Sequence, residues 1–169
     1  MQVAQRGTSS TTGGYTVMDR FPVNFTGTDE SPTIEQADVA SGTTPYTLGF
    51  RKSLKITNGN QTSGAGADDY IYTGQKFEAQ NIANSGWNYV SSSSNITLSF
   101  WVKSSVAQNF YGYIRTHDNP KYNYPFETGS LSADTWTKIT KTISGNSNLV
   151  IDNDANTGLN EKDAKLTIK

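Results

Sequence analysis

Residues 96–103 of this chain alternate without a break. Leu98, Phe100 and Val102 fall on one side of an extended strand, and Thr97, Ser99, Trp101 and Lys103 on the other. A period of two belongs to a strand with one buried face, because successive side chains of extended backbone point to opposite sides. The pattern recurs along the chain. Phe21, Val23 and Phe25 alternate with polar or small neighbours, as do Tyr46, Leu48 and Phe50, and then Leu54 and Ile56 within residues 52–57. Residues 69–73 set Ile71 against Tyr70 and Tyr72, and residues 109–115 set Phe110, Gly112 and Ile114 against Tyr111, Tyr113 and Arg115. Residues 136–143 place Ile139 and Ile143 together, residues 149–151 are short and apolar, and residues 165–169 carry Leu166 and Ile168 as a last strand.

Helical signals are sparse. Only residues 74–83 are compatible with a helix, and they hold Phe77 and Ile82 in a polar setting. Clusters of Gly, Ser, Asn and Pro separate the strands. Residues 9–14 and 89–95 read as low-complexity loops and residues 59–68 as a third flexible stretch. Many short strands with short, turn-rich gaps imply an all-β, antiparallel sandwich in which one face of each strand packs inward. The length of 169 residues fits one such domain spanning 1–169.

Composition narrows the function classes. The net charge is −1, so no basic field exists to neutralise phosphates and nucleic acid is not an expected partner. Cysteine is absent, which removes disulfides, thiolate nucleophiles and thiolate-bound zinc. No apolar run approaches the roughly 20 residues of a membrane span. Residues 1–7 hold no apolar signal-peptide core, so no Sec signal is expected on this chain. Charged residues are only 17% while aromatics reach 11%, which suits pleated strands with an uncharged polar surface and not a disordered chain.

The segment Leu98-Ser99-Phe100-Trp101-Val102-Lys103-Ser104, followed later by Ala133-Asp134-Thr135-Trp136-Thr137-Lys138, resembles carbohydrate-binding modules with a galactose-binding-like jelly roll. The start Met1-Gln2-Val3-Ala4-Gln5-Arg6-Gly7-Thr8-Ser9, with Val17-Met18-Asp19-Arg20-Phe21 and Phe77-Glu78-Ala79-Gln80-Asn81, resembles structural and tail-fibre-type proteins of marine bacteriophages. The resemblance implies a jelly-roll sandwich, a virion or extracellular location, and glycan or cell-surface polysaccharide and other virion proteins as partners. Tail-fibre-type proteins are commonly trimers, which implies a homo-oligomer, although no heptad pattern here would drive one. Members of that group carry an apolar strand ahead of the Met1–Gly7 motif and further strands beyond Asp152-Asn153-Asp154, so the resemblance implies a chain cut short at one or both ends.

Sugar recognition needs flat apolar faces for the C–H side of a pyranose, with polar groups for its hydroxyls, and aromatic side chains with a polar tip supply both. The expected glycan-binding residues are Tyr111, Tyr113 and Arg115 on one outward face, with Trp101 as a candidate neighbour, Tyr122, Tyr124 and Asn123 from the Pro- and aromatic-rich loop 118–126, and Trp87 from a loop of its own. Each of these aromatics is also a candidate for simple packing. Trp136 reads as a core residue.

No catalytic residues are assigned. His117 is the only histidine and no Gly-x-Ser-x-Gly elbow exists to partner it. Glu78 and Glu127 are the carboxylates that a small glycan hydrolase or lyase would need as a pair. A purely structural decoration or spacer domain in a phage particle is the other alternative. Asp152, Asp154, Asn156 and Asp163 are spaced like the ligands of a calcium loop, but position six is Thr157 rather than Gly. No cofactor is called for. Jelly-roll modules often hold a structural calcium, and Asp19, Asp68 and Asp69 are the carboxylates this resemblance offers for one. Asn24-Phe25-Thr26, Asn60-Gln61-Thr62 and Asn95-Ile96-Thr97 match glycosylation acceptors, a pattern common by chance in a chain so rich in Asn and Thr.

Overall fold

The structure is a computed structural model that describes residues 2–116, 120–151 and, for the backbone alone, 163–168. Strands dominate and pair antiparallel, in keeping with the all-β expectation. The chain forms two compact units, Met1–Gln75 and Lys76–Ile168. No helix among the described residues is long and apolar enough to cross a membrane.

In the first unit, β1 (Ser9–Ser10), β3 (Thr33–Asp38) and β4 (Lys52–Thr57) form one sheet in the order β1-β3-β4. β2 (Val23–Thr26) pairs with the start of β5 (Tyr70–Glu78). The register places Ile34 opposite Ile56, and Phe25 opposite Ile71. Val17, Met18, Val23 and Ile34 are fully buried, and Phe21, Phe25, Leu54, Ile56 and Ile71 pack around them. The inward residues read from alternation are thus the ones that meet. On the opposite face of the β3–β4 pair, Glu35 and Lys55 stand across from each other and their charges approach to 3.0 Å.

Three readings of this unit need correction. Residues 9–14 are not all loop, since Ser9 and Ser10 pair with Glu35 and Ile34. Tyr46, Leu48 and Phe50 do not form a strand. Thr44–Thr47 is a short helix, α1, with a proline in its first turn and extended backbone at Thr43 before it. Proline is preorganised for a helix start and breaks a strand ladder. Gly49, at φ +95°, ends the turn. The Arg51 guanidinium then covers the Tyr46 ring at 3.9 Å and donates to the Tyr46 carbonyl at 2.6 Å. Leu48 and Phe50 are left 61% and 46% exposed.

The stretch 59–68 is tethered rather than loose. The Asp29 carboxylate accepts from the backbone N–H of Thr62 and Ser63 at 2.6 and 2.7 Å and from the hydroxyls of both. Glu30 accepts from the Asn60 amide at 2.7 Å. These bonds, led by the Ser63 hydroxyl, lower the Asp29 pKa from 3.8 to about 2. A depressed carboxylate favours the folded loop above the unfolded value and loses that effect as pH falls through the folded one. The Ser63 and Thr62 amide resonances are therefore expected to titrate with a midpoint near pH 2, and to lose that titration in Asp29→Ala. A midpoint near 3.8 would show that this carboxylate does not hold the loop.

The second unit contains the end of β5, the short helix α2 (Ala79–Ala83), β6 (Asn95–Val102), β7 (Tyr111–Arg115), β8 (Asn123–Glu127), β9 (Thr137–Ser144) and β10 (Asp163–Ile168). The helix-compatible stretch 74–83 is strand up to Glu78 and helix only from Ala79. β6 pairs with β9, and β10, β7 and β8 lie side by side. Phe100 faces Ile139 across the β6–β9 pair, and Ile96 faces Ile143. The Phe100 ring meets Phe126 of β8 with centroids 6.2 Å apart, so the two sheets touch through their apolar faces. Residues 149–151 form no strand; the Leu149 amide closes a turn on the Asn146 carbonyl at 2.9 Å.

Residues 118–126 hold more than a loop. Asn123–Glu127 is the strand β8, the outer member of its sheet. Pro125 weakens the strand signal in the sequence, yet it sits where a strand tolerates it. The Thr116 amide donates to the Tyr122 carbonyl and the Thr128 amide to the Phe110 carbonyl. In an antiparallel ladder bonded and non-bonded pairs alternate. Asn123, Pro125 and Glu127 therefore fall on non-bonded positions opposite Arg115, Tyr113 and Tyr111. Their backbone groups point to the open edge, where a missing N–H breaks no bond.

Candidate functional site

The β7–β8 hairpin carries the clearest candidate. Both ends of its ladder are fixed. Thr116, nearly fully buried, accepts the Tyr122 amide on its hydroxyl at 3.0 Å, and the Thr128 hydroxyl accepts the Phe110 amide at 3.0 Å. Between these ends, alternation sends Gly112 and Phe126 inward, where both are buried, and leaves Tyr111, Tyr113, Arg115, Asn123, Pro125 and Glu127 on the outer face. Side chains at non-bonded pairs approach closely.

This outer face is an ordered strip. At one end the Asn109 amide donates to the Glu127 carboxylate at 2.6 Å. Tyr111 stands opposite Glu127 and is 61% exposed. Tyr113 lies beside Pro125 in the middle. At the other end the Arg115 guanidinium lies 4.9 Å from the Tyr113 ring centre, and its Nε donates to the Asn123 side-chain oxygen at 2.7 Å. A cation over an aromatic face contributes about 0.5–1 kcal/mol at an exposed site. From Tyr111 to Arg115 the strip runs roughly 13 Å at about 3.4 Å per residue. It offers two phenol faces, a carboxylate, amides and guanidinium N–H groups, a set suited to stacking and hydrogen bonding.

The other expected residues lie elsewhere. Tyr124 is on the inner parity of β8, 42% exposed, and its hydroxyl donates to the Thr142 carbonyl at 3.4 Å. Tyr122 is half-buried and its backbone closes the hairpin against Thr116. Trp101 is half-buried on the side of β6 that faces away from Phe100. Because Phe100 and Phe126 point toward each other, Trp101 and the tyrosine strip face opposite ways, so the expected neighbourhood of Trp101 with Tyr111 and Tyr113 does not form. Trp87 is half-buried, donates its indole N–H to the Ser94 carbonyl at 3.2 Å and meets Tyr89 edge-on at 6.2 Å, which makes it a staple of the 84–94 loop. Trp136, expected in the core, is half-buried just before β9, with the Lys103 ammonium 5.8 Å from its ring centre.

Asn123, expected from the loop 118–126, joins the strip, and Asn109 and Glu127 complete it although alternation within single strands did not assign them to it. The signal that finds them is the hairpin register, which follows once Phe126 is taken as the inward residue of β8. Glu78 ends β5 ahead of α2, and Glu127 holds Asn109. His117 lies outside the described residues, as do Asp152, Asp154 and Asn156 of the loop resembling a calcium site. Asp19 bonds Arg6 at 3.4 Å, and Asp69 accepts the Gly66 amide at 2.5 Å. No group of three metal-ligating side chains gathers among the described residues, Asp19, Asp68 and Asp69 included. A hollow of about 190 Å³ lined by Val3, Met18, Asp19 and Phe21 is smaller than the roughly 300–1,000 Å³ of small-molecule pockets.

Scans against protein-family models, curated proteins and solved structures found no match to this chain.

Proposed function

We propose that this chain is a non-catalytic, carbohydrate-binding domain of galactose-binding-like, jelly-roll type, displayed on a virion or other extracellular surface and contributing to recognition of host glycan. The observation that carries this reading is the strip Tyr111–Tyr113–Arg115 with Asn123 and Glu127. It sets aromatic faces and polar tips side by side on an open sheet face. A sugar chain needs such an open face rather than a closed cavity, since its rings stack by their C–H sides and its hydroxyls reach past the ring edge. The touching apolar faces of β6–β9 and β7–β8 support a sandwich, the Leu98–Ser104 motif supports the carbohydrate-binding-module likeness, and the Met1–Ser9, Val17–Phe21 and Phe77–Asn81 motifs support the phage-type assignment.

The test is retardation in native affinity gels and binding to a glycan array. Tyr113→Ala is expected to weaken glycan binding at least tenfold, which corresponds to about 1.4 kcal/mol, while its circular dichroism stays that of the parent. Binding to no glycan, together with Tyr111→Ala and Tyr113→Ala variants that differ only in particle assembly, would instead favour a decoration or spacer domain contacting protein neighbours. Polysaccharide cleavage that disappears in Glu78→Gln or Glu127→Gln would establish an enzyme.

A further inference from the structure

Resting on the glycan reading, we infer that the ligand is an acidic glycan whose carboxylate or sulfate is bound by Arg115, with a neutral sugar unit at the Tyr111 end. Arg115 is half-buried on the outer face of β7. The ion pairs among the described residues are Arg6–Asp19, Lys52–Asp38 and Lys55–Glu35, and none involves Arg115. By register Lys165 of β10 stands opposite Arg115, and among the residues whose side chains are described the nearest carboxylate on the same face is Glu127, which is bonded to Asn109 at the far end of the strip. Arg115 is instead held by a neutral amide oxygen and an aromatic ring. Both partners orient the guanidinium and neither neutralises it.

The geometry of the hold matters. Asn123 takes the Nε–H, and among the described residues no partner holds the two terminal nitrogens. Guanidinium donors match the paired oxygens of a carboxylate or sulfate, and such charge-assisted bonds are about twice as strong as neutral ones. The ring of Tyr113 beneath the guanidinium places an anion bound there at the edge of the sugar that stacks on the neighbouring tyrosine. Glu127 sets the opposite preference at the other end. Its carboxylate accepts hydroxyls and repels a second anion. The strip therefore has a direction, anion at Arg115 and neutral ring near Tyr111. A chain with a charge on alternate sugars fits it better than one charged on every unit. General attraction of polyanions would not mimic this preference, because the whole chain carries a net charge of −1.

Affinity gels containing neutral galactan, hyaluronan, with a carboxylate on alternate sugars, or a sulfated galactan with a sulfate on alternate sugars test the inference on the whole chain. The expected result is retardation by at least one acidic polymer, weakened at least tenfold in Arg115→Gln, partly recovered in Arg115→Lys and reduced by added salt. The hyaluronan and sulfated-galactan gels, both charged on alternate sugars, separate carboxylate from sulfate recognition. Retardation by neutral galactan that Tyr113→Ala abolishes and Arg115→Gln leaves unchanged overturns the acidic preference and leaves the glycan reading standing. No retardation by any of the three, for a chain with parental circular dichroism, overturns both.

Discussion

Replacing Phe126 by alanine is expected to destabilise the second unit by about 3–5 kcal/mol, the cost typical of truncating a buried phenylalanine. Phe126 is 9% exposed and its ring meets Phe100 between the two sheets. The truncation removes apolar area from the core and leaves a space that the flanking strands fill only in part. Trp87, Trp101 and Trp136 all lie in this unit and the chain has three tryptophans, so intrinsic tryptophan fluorescence in a urea titration reports on this unit alone. Phe100→Ala and the double variant form a cycle with it. A sum of the single effects larger than the double effect is expected, because one contact is lost in both. A midpoint unchanged by Phe126→Ala would mean that this contact does not join the two sheets.

The second large effect is expected at Gly145. It follows β9 and is buried against the loop that carries Trp87. A Cβ there would stand 2.5 Å from the carbonyl oxygens of both Tyr89 and Ser91, and 2.8 Å from that of Asn88. All three are backbone atoms, so no side chain can rotate away. The constraint is space rather than a left-handed φ. Gly145→Ala forces the loop off β9 and strains the bonds from the Gly145 amide to Ser94 and from the Asn146 amide to Tyr89. Overpacking usually costs about 1–3 kcal/mol, and a contact with three backbone oxygens is expected at the upper end. Thermal unfolding measures the loss, and faster hydrogen exchange at Asn146 locates it. Unchanged exchange at that amide would show that the loop does not rest on Gly145.

How much of this was legible in the sequence differs from element to element. β6, β7 and β9 announce themselves because each has a dry face and a wet face over at least five residues. β3, Thr-Ile-Glu-Gln-Ala-Asp, carries one large apolar residue, Ile34, and its strand character comes from pairing with β4 rather than from its own pattern. Tyr46, Leu48 and Phe50 alternate as a strand would, but Thr43-Thr44-Pro45 just before them is a helix-start signal, and that local signal wins. For the candidate site, the tyrosines of β7 were readable from parity alone. Tyr124 and Trp101 were not, because a residue's face can be assigned to a shared surface only when the register between strands is known. Asn123 and Glu127 needed the same knowledge, and Pro125 hid the strand that carries them.

Pro125 has a bearing on crowding. Exposed strand edges invite neighbouring copies to add on by main-chain bonding, and a proline on such an edge is a natural barrier to that. Copies packed densely on one surface would thus be kept from merging along β8, and every tyrosine strip would stay open to solvent. Each strip is short. On the proposed glycan reading, many separate strips on one surface would engage a polymer at several points, and avidity would add to what a single copy supplies. A Pro125→Thr variant would put that separation at risk: the same residue that makes β8 hard to recognise keeps the tyrosine strips countable, one per chain.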